Sequence, residues 1–243
     1  SLAFRICAAA GDRQWVKPTK VVEASKAAFG QVVRAGTPLG DDGIDRSYLE
    51  AEVRAVIKGR GIRSLEEYLE IQRTGRGTRF DGSRRRQAWA YMEEWNAGMT
   101  QRGTADFADT ITRAVEHARN LNDPSYRAAV IDEAQDLTLM GLQLVRTLVN
   151  GKDDDDRDDG LLIVGDGAQR IYPGAFTLRQ AGVEVRGRTT VLRQNYRNTA
   201  EILAAATTVL GNGPIVDMDD EDDDSPNQAE EERADASRSG LRP

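Results

Sequence analysis

Two apolar segments that each end in carboxylates place the strongest constraint on the fold of this chain. The first, AVIDE at residues 129–133, ends in Asp132 and Glu133. The second, LLIVGD at residues 161–166, ends in Asp166. Both segments are short, β-rich and bounded by polar residues, a pattern typical of buried strands. The sequence therefore predicts two core strands that each deliver acidic side chains at their carboxyl ends.

The elements around these segments indicate an α/β fold. A helical pattern at residues 138–149 lies between the two strands, and this strand–helix–strand order favours a parallel sheet. A third strand is expected within residues 185–193, and the pairing of Asn198 with Glu201 indicates the start of a further helix. Upstream, helical patterns and caps predict a largely helical region, with helices in residues 1–35, 45–57, 64–71, 84–101 and 106–120. The segment GTPLGDDG at residues 36–43 is expected to be a turn-rich loop.

Composition limits the class of protein. Cys7 is the only cysteine, so no intrachain disulfide can form, and a reducing, cytoplasmic location is expected. No apolar stretch approaches the roughly 20 residues needed to cross a membrane, and no signal peptide is visible. His117 is the only histidine. We predict a structural role for it, because it lies on a predicted helix. From the sequence we expect no His/Cys metal cluster and no Ser/His/Asp or Cys/His triad.

Charge is distributed unevenly. The net charge of −7 combines 20 basic and 17 acidic residues in 1–125 with 13 basic and 23 acidic residues in 126–243. Residues 54–86 contain ten Lys/Arg and only four Asp/Glu. This excess of positive charge predicts either a patch that attracts nucleic-acid phosphates or a solvated helical surface. From residue 217 onward charged and small polar residues dominate, so residues 217–243 are expected to be an acidic, disordered tail.

The acids at the strand ends suit phosphate chemistry. Ligands of parallel sheets sit beyond the carboxyl ends of the strands. One carboxylate there can hold Mg²⁺, and a neighbour can orient or deprotonate a water molecule. Farther along the chain, the amide of Gln169 can contact a γ-phosphate, and Arg197 can neutralise transition-state charge. The alternative for Asp132 and Glu133 is a surface acid pair that caps the next helix.

Three segments in this order carry a family resemblance. VIDEAQDLT, VGDGAQRIY and LRQNYRNTAEIL resemble consecutive motifs of UvrD/Rep-like superfamily 1 DNA helicases, and DEAQD is similar to their Walker B motif. Upstream, SLAFRI and AVIKGRGIRSLEEYLEIQRTGRG resemble the segment after the family's TFH motif and its helical insertion subdomain. The resemblance covers roughly residues 1–213. It implies a partial P-loop NTPase (RecA-like) parallel sheet with a largely helical N-terminal subdomain.

The resemblance also implies roles for individual residues. Asp132 would hold Mg²⁺, Glu133 would be the catalytic base, and Gln135 would couple one motif to the next. Gln169 would sense the γ-phosphate of ATP, and Arg197 would be the arginine finger. Mg²⁺ and ATP are accordingly the cofactors of the complete parent protein.

The implied partner is single-stranded or partly duplex DNA. Tyr172 occupies the family's Q-x-I-Y position near single-stranded DNA, and the position two residues later, often a stacking aromatic, is Gly174 here, with Phe176 the next aromatic. Arg84, Arg85 and Arg86 are candidate phosphate contacts, with a solvated helix start as the alternative. Trp89 and Trp95, at helical spacing, are expected in the core.

The motor is expected to be incomplete. The sequence contains no G-x-x-x-x-G-K-[ST] phosphate-binding loop, which the family carries upstream of its TFH motif. We therefore expect an internal segment of the helicase. Residues 1–125 would form the helical insertion subdomain, and residues 126–190 the C-terminal half of the first motor domain. Residues 191–216 would begin the second motor domain, and residues 217–243 would be the tail.

Several consequences follow for function. The isolated chain should bind ATP weakly and be inactive, and it would need the missing helicase segments or a partner protein. DNA repair is a family-level expectation. The alternatives are a non-enzymatic DNA-binding or protein-interaction module derived from a helicase, and a regulatory protein whose acidic tail engages a basic partner.

Overall fold

The computed structural model describes residues 1–12, 15–71, 80–120, 126–150, 160–166, 176–185, 187–192 and 198–210. The described helices are α1 (Leu2–Ala9), α2 (Pro18–Val32), α3 (Pro38–Asp41), α4 (Arg46–Ala51), α5 (Leu65–Glu70), α6 (Gly82–Gln101), α7 (Phe107–Arg119), α8 (Leu139–Asn150) and α9 (Ala200–Leu210). The strands are β1 (Ala129–Ile131) and β2 (Leu161–Ile163). Helix α4 continues directly into a π-helical segment, Glu52–Lys58, and short 3₁₀ turns occupy Ala134–Asp136 and Arg179–Ala181.

Side-chain caps fix where the helices begin. The Ser64 hydroxyl accepts a hydrogen bond from the Glu67 N–H at the start of α5, as its sequence pattern predicts, while the Glu67 carboxylate accepts the N–H of Arg63. Helix α7 opens with a complete capping box in which Asp106 and Asp109 each accept the other's backbone N–H. These local pairs satisfy donors that a helix N-terminus leaves without partners.

The first core cluster lies within the helical region and is built by α2 to α6. Trp95 of α6 is fully buried at its centre, and its indole N–H donates to the carbonyl of Val21 at 3.2 Å. Trp89 lies at the border of the cluster, where its indole N–H donates to Glu93. The expectation of a core position is confirmed for Trp95, whereas Trp89 is only partly buried.

A second cluster is formed by α1, α7 and α8, so the packing links elements on both sides of residue 125. The C-terminal end of the π-helical segment contacts the helices of this second cluster. Lys58 is buried and its ammonium contacts Asp106 at 3.0 Å and Asp109 at 2.7 Å, both at the start of α7. Just beyond the segment, the Gly59 carbonyl accepts the N–H of Met140 in α8. These contacts seat the helical region against the α/β part.

The sheet has the predicted strands in the predicted parallel arrangement. Val130 of β1 pairs with Leu162 of β2, and α8 forms the connection between the strands. Ile131 is buried in a third cluster with Leu142 of α8. Val130 and Leu162 point to the opposite face and are 72% and 58% exposed. One face of the sheet therefore packs on α8, and the other carries exposed apolar side chains.

Two expectations about local structure are wrong. The third strand is not formed in the described part of its segment, residues 185 and 187–192, where Val191 and Leu192 are 51% and 86% exposed. A strand needs a neighbour to accept its hydrogen bonds, and the described residues supply none there. The segment 36–43, which was expected to be a loop, contains helix α3, because the Thr37 hydroxyl caps the N–H of Gly40.

Candidate active site at the carboxyl ends of the strands

The carboxyl ends of β1 and β2 bring the predicted acids to one edge of the sheet. Asp132 and Glu133 follow β1 directly, and Asp166 lies three residues beyond β2. All three residues are exposed to solvent. Parallel pairing in the register of Ile131 with Ile163 is the reason that residues far apart in the sequence share this edge. The acids thus lie where a solvated metal ion and a polyphosphate can approach them.

Glu133 has an unusual backbone conformation. Its φ of 53° and ψ of 44° lie in the left-handed region, and it is the single non-glycine residue with positive φ in the part of the chain that the structure describes. Its N–H donates to the Asp132 carboxylate at 2.9 Å. Such conformations are disfavoured for residues with a Cβ and cluster at functional sites. The turn ends the strand sharply and puts both carboxylates at the rim.

Gln135 connects the two strand ends. Its side chain is buried, and its Nε2 donates to the Glu133 carboxylate at 2.5 Å. Its Oε1 accepts the backbone N–H of Asp166 at 3.0 Å. One amide therefore holds the Glu133 side chain and fixes the chain after β2 at the same time.

Backbone hydrogen bonds extend the same connection. The N–H of Val164 donates to the carbonyl of Ile131, and the N–H of Ala134 donates to the carbonyl of Val164. Gly165 lies against them, and a Cβ at this position would come within 2.8 Å of the Gln135 Oε1. Only glycine leaves room for the amide. The glycine before Asp166 is the sequence signal for this close approach, whereas the predicted site rests on the acid alone.

Chemically, the edge suits metal-assisted phosphate chemistry. Mg²⁺ prefers carboxylate oxygens and keeps several waters, which an exposed carboxylate such as Asp132 allows. Glu133 is the neighbour that could accept a proton from a water molecule, with its orientation set by Gln135. The structure thus brings together Asp132, Glu133 and Gln135, as the sequence predicts. Asp166 joins them through its backbone N–H.

The structure describes only some of the other residues that were predicted to bind nucleotide or DNA. Gln169, Tyr172 and Arg197 lie outside the described residues. Phe176, the aromatic that follows Tyr172 most closely, is buried in the cluster beneath β1.

The three arginines at the start of α6 differ in their surroundings. Arg84 pairs with Asp42 and Asp81. Arg85 donates to the backbone carbonyls of Tyr68, Leu69 and Ile71 at 2.8–3.0 Å and is half-buried. Arg86 is exposed, and its guanidinium donates to the carbonyl of Gly82. Of the three, Arg86 is the most accessible to a phosphate.

Comparison with known proteins identifies the family. Residues 42–183, more than half of the chain, match the UvrD/REP helicase N-terminal domain. The chain belongs to this family. A stretch of 92 residues, 35% of the chain, is 40% identical to the ATP-dependent DNA helicase UvrD1 of Mycobacterium tuberculosis and of Mycobacterium bovis. The match spans 12% of the length of these relatives.

The family match includes β1, α8 and β2, together with the acids that follow the two strands, Asp132, Glu133 and Asp166. It supports the helicase-like interpretation of AVIDEAQDLT and VGDGAQRIY at the level of a helicase-derived segment. No described helix is long and apolar enough to cross a bilayer.

Proposed function

We propose that this chain is a segment of an ATP-dependent DNA helicase or translocase and contributes the metal-binding and water-activating part of its motor. The observation that carries the proposal is the Glu133–Gln135–Asp166 connection at the strand edge. It joins an exposed carboxylate pair to the end of the neighbouring strand. A motor needs such a link, because binding and hydrolysis of the nucleotide must change the conformation of a DNA-binding site some distance away.

In this proposal the residues divide the work of ATP hydrolysis. Asp132 holds Mg²⁺, and Glu133 accepts the proton of the attacking water. Gln135 couples the two strand ends, Gln169 senses the γ-phosphate, and Arg197 neutralises the charge that develops in the transition state. When bound, Mg²⁺ neutralises the charge of the phosphates. The parallel pair of strands would belong to a RecA-like motor domain.

The proposed domain organisation follows the family. Residues 1–125 would be the insertion subdomain, 126–190 the later half of the first motor domain, and 191–216 the beginning of the second. DNA, single-stranded or partly duplex, would be contacted by Tyr172 and by the start of α6, where Arg86 is the exposed arginine. For Arg84 and Arg85, contact with DNA would compete with the internal acceptors that they already have.

The test is ATP hydrolysis in the complete open reading frame that contains this chain. We expect turnover that depends on single-stranded DNA, and we expect Glu133→Gln to lower kcat by about 10²- to 10⁴-fold, as loss of a general base does. Glu94→Gln, an exposed acid on α6, is the matched control and should leave kcat unchanged. A Glu133→Gln variant with full turnover would refute the assigned role.

A second function is favoured by one feature of the sequence. The chain contains no G-x-x-x-x-G-K-[ST] loop to cradle the phosphates. By itself it would act as a DNA-binding or protein-interaction module. We expect the chain alone to show no ATP turnover. Salt-dependent DNA binding by the complete protein without any ATP hydrolysis would favour this second function over the motor.

A further inference from the structure

A mixed group of metal-ligating side chains lies away from the strand edge. Among the residues that the structure describes, Cys7, Asp12 and His117 form the one group of three whose ligand atoms all lie within 4.8 Å of one another. Cys7 belongs to α1, Asp12 follows it, and His117 is in the last turn of α7. None of the three takes part in the proposed nucleotide chemistry.

The end of α1 explains how Asp12 reaches this position. Gly11 has a φ of +79°, and its N–H donates to the carbonyl of Ala8. The N–H of Asp12 donates to the carbonyl of Cys7 at 2.9 Å. This pair of bonds is a Schellman motif, which turns the chain back over the last turn of the helix. It holds Asp12 beside Cys7, and the packing of α1 on α7 brings His117 to both.

The separation of the His117 and Asp12 ligand atoms fits a shared ion better than a direct bond. His117 Nε2 and Asp12 Oδ2 are 3.5 Å apart. A charge-assisted hydrogen bond would be about 2.7–2.9 Å long. Two ligands on a tetrahedral metal, with bonds of about 2.0–2.2 Å, are roughly 3.3–3.6 Å apart. We propose that Cys7, Asp12 and His117 form a Zn²⁺ site that ties the end of α1 to the end of α7.

The donor set selects this class of metal. A thiolate and an imidazole favour Zn²⁺ over Mg²⁺ or Ca²⁺, which take oxygen ligands. Three protein ligands leave the fourth position to water. The side chains of His117 and Asp12 are 30% and 19% exposed, so solvent and an ion have access from their side.

Arg113 orients the carboxylate and also limits the affinity. Its guanidinium lies 3.4 Å from Asp12 Oδ1, whereas Oδ2 faces His117. Partners of this kind hold a ligating carboxylate in place. Because Arg113 is cationic, it also repels a metal ion, so the site should bind Zn²⁺ more weakly than a closed four-ligand site does.

The same residues do not suit nucleophilic catalysis. Cys7 is only 3% exposed, and its thiol donates to the carbonyl of Thr110 at 3.6 Å. Burial, followed by the nearby Asp12 charge, raises the pKa of the thiol. A substrate carbon cannot reach a sulfur held in this way. Binding of Zn²⁺ would replace the thiol proton, with a sulfur–metal bond formed and one proton released to solvent.

Cobalt titration of the reduced full chain tests the site directly. We expect one Co²⁺ per chain, with a thiolate-to-cobalt charge-transfer band and the visible bands of a tetrahedral ion, both removed by added Zn²⁺. Cys7→Ser should abolish the charge-transfer band. Asp12→Asn and His117→Ala should each weaken Co²⁺ binding by at least about tenfold.

Two control variants separate this site from other acidic groups. Glu66→Gln removes an exposed carboxyl on α5, and Asp132→Asn removes the proposed Mg²⁺ ligand at the strand edge. Both should retain the band, and circular dichroism establishes that each variant is folded. Folded wild-type chain without a charge-transfer band overturns the proposal, whatever the variants do. Failure of the ATPase test leaves this result unaffected.

Discussion

At the scale of single residues, the strand edge depends on a side chain that is neither acidic nor exposed. Gln135 is buried and bonds to both strand ends, whereas Asp132 and Glu133 are exposed residues. The acids can be found from the sequence because an apolar run that ends in carboxylates is a local pattern. The bridge could not be derived from residue spacing, because its other end, the N–H of Asp166, is brought close only by strand pairing.

Gly165 offers a test of how closely this bridge is packed. In Gly165→Ala the new Cβ would lie 2.8 Å from the Gln135 Oε1, so the amide must shift and weaken its bond to Asp166. We expect a loss of roughly 1–3 kcal/mol in the free energy of unfolding, the range for a disturbed buried hydrogen bond. Urea denaturation measures it.

Gly30→Ala is the matched control for this substitution. Gly30 lies within α2, and an added Cβ there would meet nothing within 4 Å. Alanine is the better helix former by about 1 kcal/mol, so this variant should be slightly more stable than the parent chain. If both substitutions stabilise the protein equally, Gly165 is not closely packed against Gln135.

At the scale of elements, helix starts that depend on neighbouring residues could be predicted from the sequence. Features that depend on contacts between distant residues could not. Ser64 and Asp106 mark helix starts because a cap and its N–H are neighbours in sequence. The π-helical segment Glu52–Lys58 has no such local signal. Its buried charges have distant partners: Glu52 accepts the hydroxyl of Tyr68, and Lys58 contacts Asp106. Burial of charge is tolerated only with such partners, and periodicity does not reveal them.

Helix α6 should respond to acid through its N-cap. Asp81 accepts the backbone N–H of Arg84 and the hydroxyl of Ser83, and these bonds, the Arg84 bond foremost, lower the pKa of its carboxyl from 3.8 to about 2. A carboxyl with a lowered folded-state pKa stabilises the fold above its unfolded pKa. That contribution is complete above 3.8 and is lost as the pH falls through about 2.

Asp81→Asn tests this dependence, since asparagine keeps a cap acceptor and loses the titrating proton. Between about pH 5 and pH 2, the urea midpoint of the variant should fall less than that of the parent chain. Glu70→Gln, an exposed acid in the last turn of α5, should leave the acid dependence as it is. A parallel fall for parent chain and Asp81→Asn would contradict the assignment.

At the scale of the whole molecule, the two-stranded sheet is covered on one side only. Ile131 and Leu142 fill the side toward α8, whereas Val130, Leu162 and Val164 are 42–72% exposed. Parallel sheets in α/β proteins are normally covered on both faces. The described residues supply no layer for the second face.

This uncovered face should make the isolated chain self-associate. Val130 and Leu162 are cross-strand neighbours, so together they form a continuous apolar surface. Threonine at both positions is β-branched and therefore suits a strand, and its hydroxyl makes the face polar. Sedimentation velocity should then show a lower self-associated fraction than for the parent chain. Val22→Thr, a similar exchange at an exposed position of α2, is the control and should change nothing. If the parent chain and the double variant self-associate equally, the contact between copies does not involve this face of the sheet. The expectation that another layer covers this face would then lose its support.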